Sequence, residues 1–177
     1  KYILFFDNHT QKDCYDVGHN FNADKFAADL TTVGADYVGS HAKCNQGFCY
    51  YDTKTGVRHP SLKEGHDLFG EVAEACTKRN IGVTAYFNCG LSNEDGVNHP
   101  EWCKITPDDK VFHKYVLESD ITPYMRIMCV NSPYRDHLLK MIAEVKEKIQ
   151  SIHWEAYDAL TDHSRTPFLS EEAQAQY

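Results

Sequence analysis

The sequence predicts an α/β fold built on a parallel sheet. Three times a short apolar segment of strand length runs into polar and aromatic residues, and an amphipathic helical stretch follows. The middle unit is the clearest. Asp36–Ser40 reads as a strand, a helix is expected from about Leu68 to Lys78, and Val83–Phe87 reads as the next strand. Strand–helix–strand order calls for parallel strands joined by helical crossovers. Ligands of such sheets sit at the carboxyl ends of the strands. His, Asp, Lys, Asn and Tyr residues gather there in this chain.

Tyr2–Phe6 is a continuous apolar run, the pattern of a buried parallel strand, and Asp7-Asn8-His9-Thr10 ends it. The first helix starts after Asn22, a capping residue, with Phe21 and Phe26 at the hydrophobic-staple positions. Phe26, Leu30 and Val33 fall on one face, and Gly34 suits a left-handed stop. Asp67 is the expected cap of the second helix, whose apolar face is Leu68, Phe69, Val72, Ala75 and Cys76. Ser132-Pro133 announces a third helix, cap followed by proline, with the stripe Leu138, Ile142, Val145 and Ile149. Glu144 and Lys148 are spaced for an i,i+4 ion pair. Ile152–Asp158 reads as a fourth strand by alternation, or as the start of a helix through Leu160. Another helix start follows at Ser170. The connections Lys43–His66 and Asn88–Asn131 are too long for plain turns and are expected to build or cover a site.

The 177 residues suffice for one domain with a core, and no second domain is visible. A net charge of -8 argues against nucleic-acid and anionic-membrane partners, which need a basic patch. No apolar run approaches the ~20 residues that span a bilayer. The chain opens at Lys1 and its first methionine is Met125, so the lack of a signal peptide leaves localisation open. Seven cysteines without a C-x-x-C pair read as reduced structural thiols, a Cys44–Cys49 bridge being the alternative.

The candidate binding residues follow the predicted strands. Asp7 and His9 suit hydrogen bonds to a ligand's polar groups, and the alternative is that they cap a loop. Lys43, Asn45 and Gln46 follow the second strand, in a turn that Gly47 would also explain. Asn88 ends the third strand, and Trp102 offers either a stacking platform or a core ring. His59 and His66 read as loop packing, and His113, His137 and His163 as surface residues. A metal reading is the weaker one. Asp7-x-His9 ends a first strand and would need His41 or His99 plus later residues, and no H-x-H or H-E-x-x-H occurs. The main reading calls for no cofactor and no metal.

Several motifs resemble one family in order and spacing across about residues 1–150. They are Asp36-Tyr-Val, Ala42-Lys-Cys-Asn-Gln-Gly-Phe48, Gly56-Val-Arg-His-Pro60, His66-Asp-Leu-Phe-Gly-Glu-Val72 and Ile81-Gly-Val-Thr-Ala-Tyr86. His99-Pro-Glu-Trp102 and Cys129-Val-Asn-Ser-Pro-Tyr134 extend the match. The chain resembles the alpha-L-fucosidase family of glycoside hydrolases, and more closely its uncharacterised fucosidase-like relatives. The resemblance implies a (β/α)8 barrel, a fold of ~250 residues. This chain would be its N-terminal part, about three to four βα units. The family reads Lys-His-His-Asp-Gly-Phe after strand two. Here those slots hold Lys43, Cys44, Asn45, Gln46, Gly47 and Phe48, without the histidines and the aspartate. His9 matches the family's sugar-binding histidine, and Asp158 occupies the position comparable to its nucleophile. The acid/base would come from a later part of the barrel, outside this chain.

The implied function is glycoside hydrolysis of a small sugar or oligosaccharide by two carboxylates. The partners are then a carbohydrate substrate and the remainder of the barrel in the full-length protein. The alternatives are a metal-dependent barrel hydrolase or isomerase, and a catalytically inactive sugar-binding barrel.

Overall fold

A computed structural model describes residues 2–105, 126–149 and 151–155. The elements are β1 (Ile3–Phe5), α1 (Ala23–Thr32), β2 (Tyr37–Lys43), β3 (Phe48–Cys49), β4 (Val57–Arg58), α2 (Leu68–Thr77), β5 (Gly82–Asn88), α3 (Asn93–Asn98), a 3-10 turn (Pro100–Trp102), α4 (Tyr134–Lys146) and β6 (Ser151–Glu155). β1, β2, β5 and β6 lie side by side in that order and all run parallel. β3 turns back antiparallel to β2 and carries β4 parallel to itself, so the sheet is mixed.

Local chemistry sets the helix boundaries. Lys25 N–H donates to Asn22 Oδ1 at 2.8 Å, and the Phe21 and Phe26 rings meet at 5.4 Å, completing the expected cap and staple. Gly34 closes the first helical unit at φ +75°, where a β-carbon is strained. The buried face of α1 differs from the expected stripe: Ala27 and Leu30 are inside, and Val33, at the C-cap, is 57% exposed. Gly70 N–H donates to Asp67 Oδ1 at 2.7 Å, so Asp67 caps α2. At α4 the expectation shifts by one residue: Pro133 is the N-cap, without a side-chain cap bond, and Ser132 before it accepts from Tyr134 N–H at 3.2 Å.

The Glu144–Lys148 pair is not formed. Glu144 accepts from Thr53, Lys54 and Thr55, and Lys148 donates to Asp67. Partners from distant elements displace a local pair worth only about 0.3–0.5 kcal/mol.

One core fills the space between the sheet and the helices. Val38, Ala42, Val83, Ala85 and Phe87 from the strands meet Leu30, Phe69, Val72, Cys76, Leu138, Met141 and Val145. A smaller cluster of Val17, Cys44, Phe48, Tyr50 and Leu62 lies under the long loop after β2. All seven cysteines stand as free thiols. No described helix is long and apolar enough to cross a membrane.

Of the two readings of segment 152–158, the strand holds over residues 151–155. β6 pairs with β5 from Thr84↔Ser151 to Asn88↔Glu155. Asp158, His113, His163 and the helix start at Ser170 lie outside the described residues.

Candidate functional site at the strand carboxyl ends

Parallel pairing brings the carboxyl ends of β1, β2 and β5 to one rim. Two polar groups form there, and a bulge in β2 separates them. His41 pairs with Tyr86, but Lys43 pairs with Phe87, so β2 spends two residues where β5 spends one. His41 therefore shares the Tyr86 face, their ring centroids 4.1 Å apart. Lys43 turns to the Phe87 side, toward the helices.

The first group is Asp7, His9 and His41. Asp7 Oδ1 lies 2.9 Å from His9 Nε2 and 3.5 Å from His41 Nε2. The Asp7 side chain is 65% exposed, His9 26% and His41 2%. The His9 and His41 rings meet edge-on at 4.7 Å. Burial first, and the nearby His9 second, pull the His41 pKa down to about 4, outweighing Asp7. His41 is thus neutral at neutral pH. The Cys44 thiol bonds to His9 and Tyr50. Burial raises its pKa, but these bonds and those to Phe48 and Gln46 outweigh burial and lower it. Tyr50 also ties down the loop after β1, its hydroxyl 2.6 Å from Thr10 Oγ1.

The second group braces the rim from inside. Lys43 is fully buried, and its ammonium donates to the carbonyls of Asn88 at 3.2 Å and Leu91 at 3.4 Å. Asp95 Oδ2 stands 3.8 Å away. Burial alone would lower the lysine pKa, but Tyr134 and Asp95 outweigh it and raise it. Asp95 accepts from Ser92 Oγ at 2.6 Å, and its other oxygen lies 3.3 Å from His137 Nε2. Burial works against its charge, yet His137, Lys43 and Ser92 together lower its pKa.

The predicted residues divide between these groups. Asp7 and His9 meet in the first. Lys43 and Asn88 meet in the second, and the Lys43 side chain is spent inside the protein rather than offered to a ligand. Asn88 Oδ1 accepts from Gly90 and Leu91 N–H, and its Nδ2 donates to the Tyr86 hydroxyl, so it shapes the turn after β5. Asn45 and Gln46 sit in the β2–β3 turn. Gln46 is 4% exposed, its carbonyl accepts from Glu94 N–H, and its side-chain nitrogen makes no hydrogen bond among the described residues. Trp102 joins neither group directly: it stacks on His99 at 3.7 Å and packs against His137 at 5.3 Å. His137 is not a surface residue, because its side chain is 18% exposed between Trp102 and Asp95. Sequence reasoning passed over Asp95, whose place in a Ser-x-x-Asp capping pattern was the available signal.

Gly47 joins the turn to this brace. Its φ is +100°, and a β-carbon there would overlap Ser92 Oγ, the hydroxyl that bonds Asp95. Gly47→Ala is expected to cost about 2–4 kcal/mol, combining backbone strain and overpacking. Urea unfolding measures it, and an unchanged midpoint would refute the close approach.

With this geometry in view, residues 22–152 match the family described as hypothetical glycosyl hydrolase 6. The chain belongs to the hypothetical glycosyl hydrolase 6 family. Solved structures similar to it include alpha-L-fucosidases and a hypothetical protein. It is 26% identical to the alpha-L-fucosidase isoenzyme 2 from Paenibacillus thiaminolyticus, with a TM-score of 0.75 over 87% of this chain and 23% of that one. An alpha-fucosidase from Thermotoga maritima is 18% identical, with a TM-score of 0.58 over 82% of this chain and 31% of that one. A hypothetical protein from Ruminiclostridium thermocellum is 13% identical, with a TM-score of 0.61 over 88% of this chain and 76% of that one. No curated protein matches. This glycosyl hydrolase 6 chain spans under a third of the length of the two fucosidases. Its α/β fold with a mixed sheet is similar to their catalytic domains, and the resemblance read from the motifs holds.

Proposed function

We propose that the full-length protein is a glycoside hydrolase of the alpha-L-fucosidase type, with this chain as the N-terminal part of a (β/α)8 barrel. The observation that carries this reading is the Asp7–His9–His41 cluster at the carboxyl rim of a parallel sheet, in a chain of a glycosyl hydrolase family. A carboxylate beside two imidazoles supplies hydrogen-bond donors and acceptors suited to sugar hydroxyls. Asp7 and His9 contact the sugar, with Asn45 and Gln46 in the adjoining turn and Trp102 as a more distant platform. Asp158 is the nucleophile. A second carboxylate from later in the full-length protein protonates the leaving oxygen. The substrate is a small sugar or oligosaccharide, with an alpha-L-fucoside tried first because of the neighbours' activity.

The test is a nitrophenyl-glycoside panel on the full-length protein. Turnover of any member supports the hydrolase. Sugar binding without turnover would replace it with a sugar-binding barrel, and the absence of both turnover and binding would end the carbohydrate reading. Within this reading His9→Ala weakens sugar binding by about 0.5–1.5 kcal/mol, the net worth of one neutral hydrogen bond. That is up to roughly tenfold in Kd. Calorimetric titration measures it, and an unchanged Kd would remove His9 from the sugar contacts.

A further inference from the structure

The first group holds a buried imidazole nitrogen with no hydrogen-bond partner, which a cation would satisfy. His41 Nδ1 lies 3.1 Å from the carbonyl of Phe6, closer than the 3.4 Å to the amide of Asn8. Two tautomers meet these contacts: Asn8 N–H donates to Nδ1, or Nδ1–H donates along the shorter contact to Phe6, and the second is the one a metal at Nε2 requires. Nε2 then carries a lone pair. That nitrogen is buried, makes no hydrogen bond, and faces Asp7 Oδ1 at 3.5 Å. A lone pair aimed at a carboxylate is repulsive unless a positive centre stands between them.

The spacing fits such a centre. Metal bonds of about 2.0–2.2 Å at tetrahedral or octahedral angles separate neighbouring ligand atoms by roughly 2.8–3.6 Å. Asp7 Oδ1 is 2.9 Å from His9 Nε2 and 3.5 Å from His41 Nε2, and the three ligand atoms lie within 4.8 Å of one another. The outer contact of His41 is one a metal ligand uses, its Nδ1 lying 3.1 Å from the Phe6 carbonyl. The exposed Asp7 side keeps the remaining coordination positions open to water or a hydroxyl oxygen.

We propose that Asp7, His9 and His41 bind a divalent first-row transition metal at the rim of the sheet. Two imidazoles and one carboxylate suit zinc or cobalt, and they disfavour calcium and magnesium, which prefer all-oxygen shells.

Cobalt(II) is the probe. Full-length protein is stripped with chelator and titrated while its visible d–d absorption is followed, then challenged with zinc. One equivalent per chain, displaced by zinc, is expected. Asp7→Asn should weaken binding at least about tenfold, and His41→Ala by about 100-fold, on the scale of losses around metal sites. Asp7 is exposed, so a signal lost in Asp7→Asn does not report unfolding. His19→Ala, which removes an exposed histidine, should leave the titration unchanged. No cobalt bound at one equivalent, or binding that survives both Asp7→Asn and His41→Ala, would overturn the site. The readout is independent of turnover. Cobalt binding without glycosidase activity keeps the metal and removes the hydrolase, and the opposite result does the reverse.

Discussion

Lys43→Met in the full-length protein is expected to lower the unfolding free energy by about 3–5 kcal/mol, the usual cost of breaking a buried ion pair from one side. Methionine matches much of the lysine stem, so the loss comes from charge more than from a cavity. It strips Asp95 of its cation, 3.8 Å away, and leaves the Asn88 and Leu91 carbonyls without their donor. Both side chains are at most 3% exposed, so solvent screening does little to soften the effect. Urea unfolding measures it, and a loss below about 1 kcal/mol would show that the brace is not electrostatic. Removing Asp95 as well, by a leucine, should recover part of the loss, as buried pairs replaced together often do.

One group from each cluster gives a direction in pH. Asp95 has a folded pKa below its ordinary 3.8, and His41 has one lowered from 6.5 to about 4. In both cases the unfolded chain takes up its proton first as pH falls, so stability falls with it. The His41 share is lost between pH 6.5 and about 4. The Asp95 share is intact above its ordinary 3.8 and is lost as pH drops through its lower folded value.

Asp158→Asn in the full-length protein is expected to reduce kcat by about 1,000-fold or more, if glycoside turnover runs through a carboxylate nucleophile. An amide of the same shape has no negative charge with which to attack the anomeric carbon, and each tenfold loss corresponds to about 1.4 kcal/mol of barrier. β6 runs parallel to β5 and reaches the register of Asn88 at Glu155, shortly before Asp158 in sequence. Rapid-quench kinetics on an activated glycoside would check it. A kcat within tenfold of the parent assigns the nucleophile to another residue.

The sequence made the scaffold legible wherever a signal was local. Asn22 and Asp67 announce their helices because a cap acts within three residues of itself. The parallel order of β1, β2 and β5 followed from the alternation of apolar runs and helices. The brace was not legible, because its partners are far apart along the chain: Lys43 meets Asn88, Leu91 and Asp95, and Asp95 meets His137. A buried charge pair leaves no periodic trace, so Lys43 read as a rim contact and His137 as a surface residue. β3 and β4 are two residues each, too short for any hydrophobic period. Ending the second strand at Ser40 kept His41 out of the sheet, although it appeared in the metal reading. With β2 extended to Lys43, His41 becomes a side chain held by the ladder rather than by a loop.

The extra residue at Ala42 acts as a phase shift within one strand. Upstream of it, alternate side chains share the face of Tyr86, and downstream the assignment inverts. Were the strand regular with every residue kept, Lys43 would fall on the face of His41 and Tyr86, sending an ammonium toward Asp7 and leaving Asp95 without its cation. A homologue can therefore rewrite its rim chemistry by moving one irregularity along the strand, with the helices and their packing unchanged. Two proteins of this fold that differ in the position of the bulge will then present different residues to a ligand, even where their aligned letters are identical.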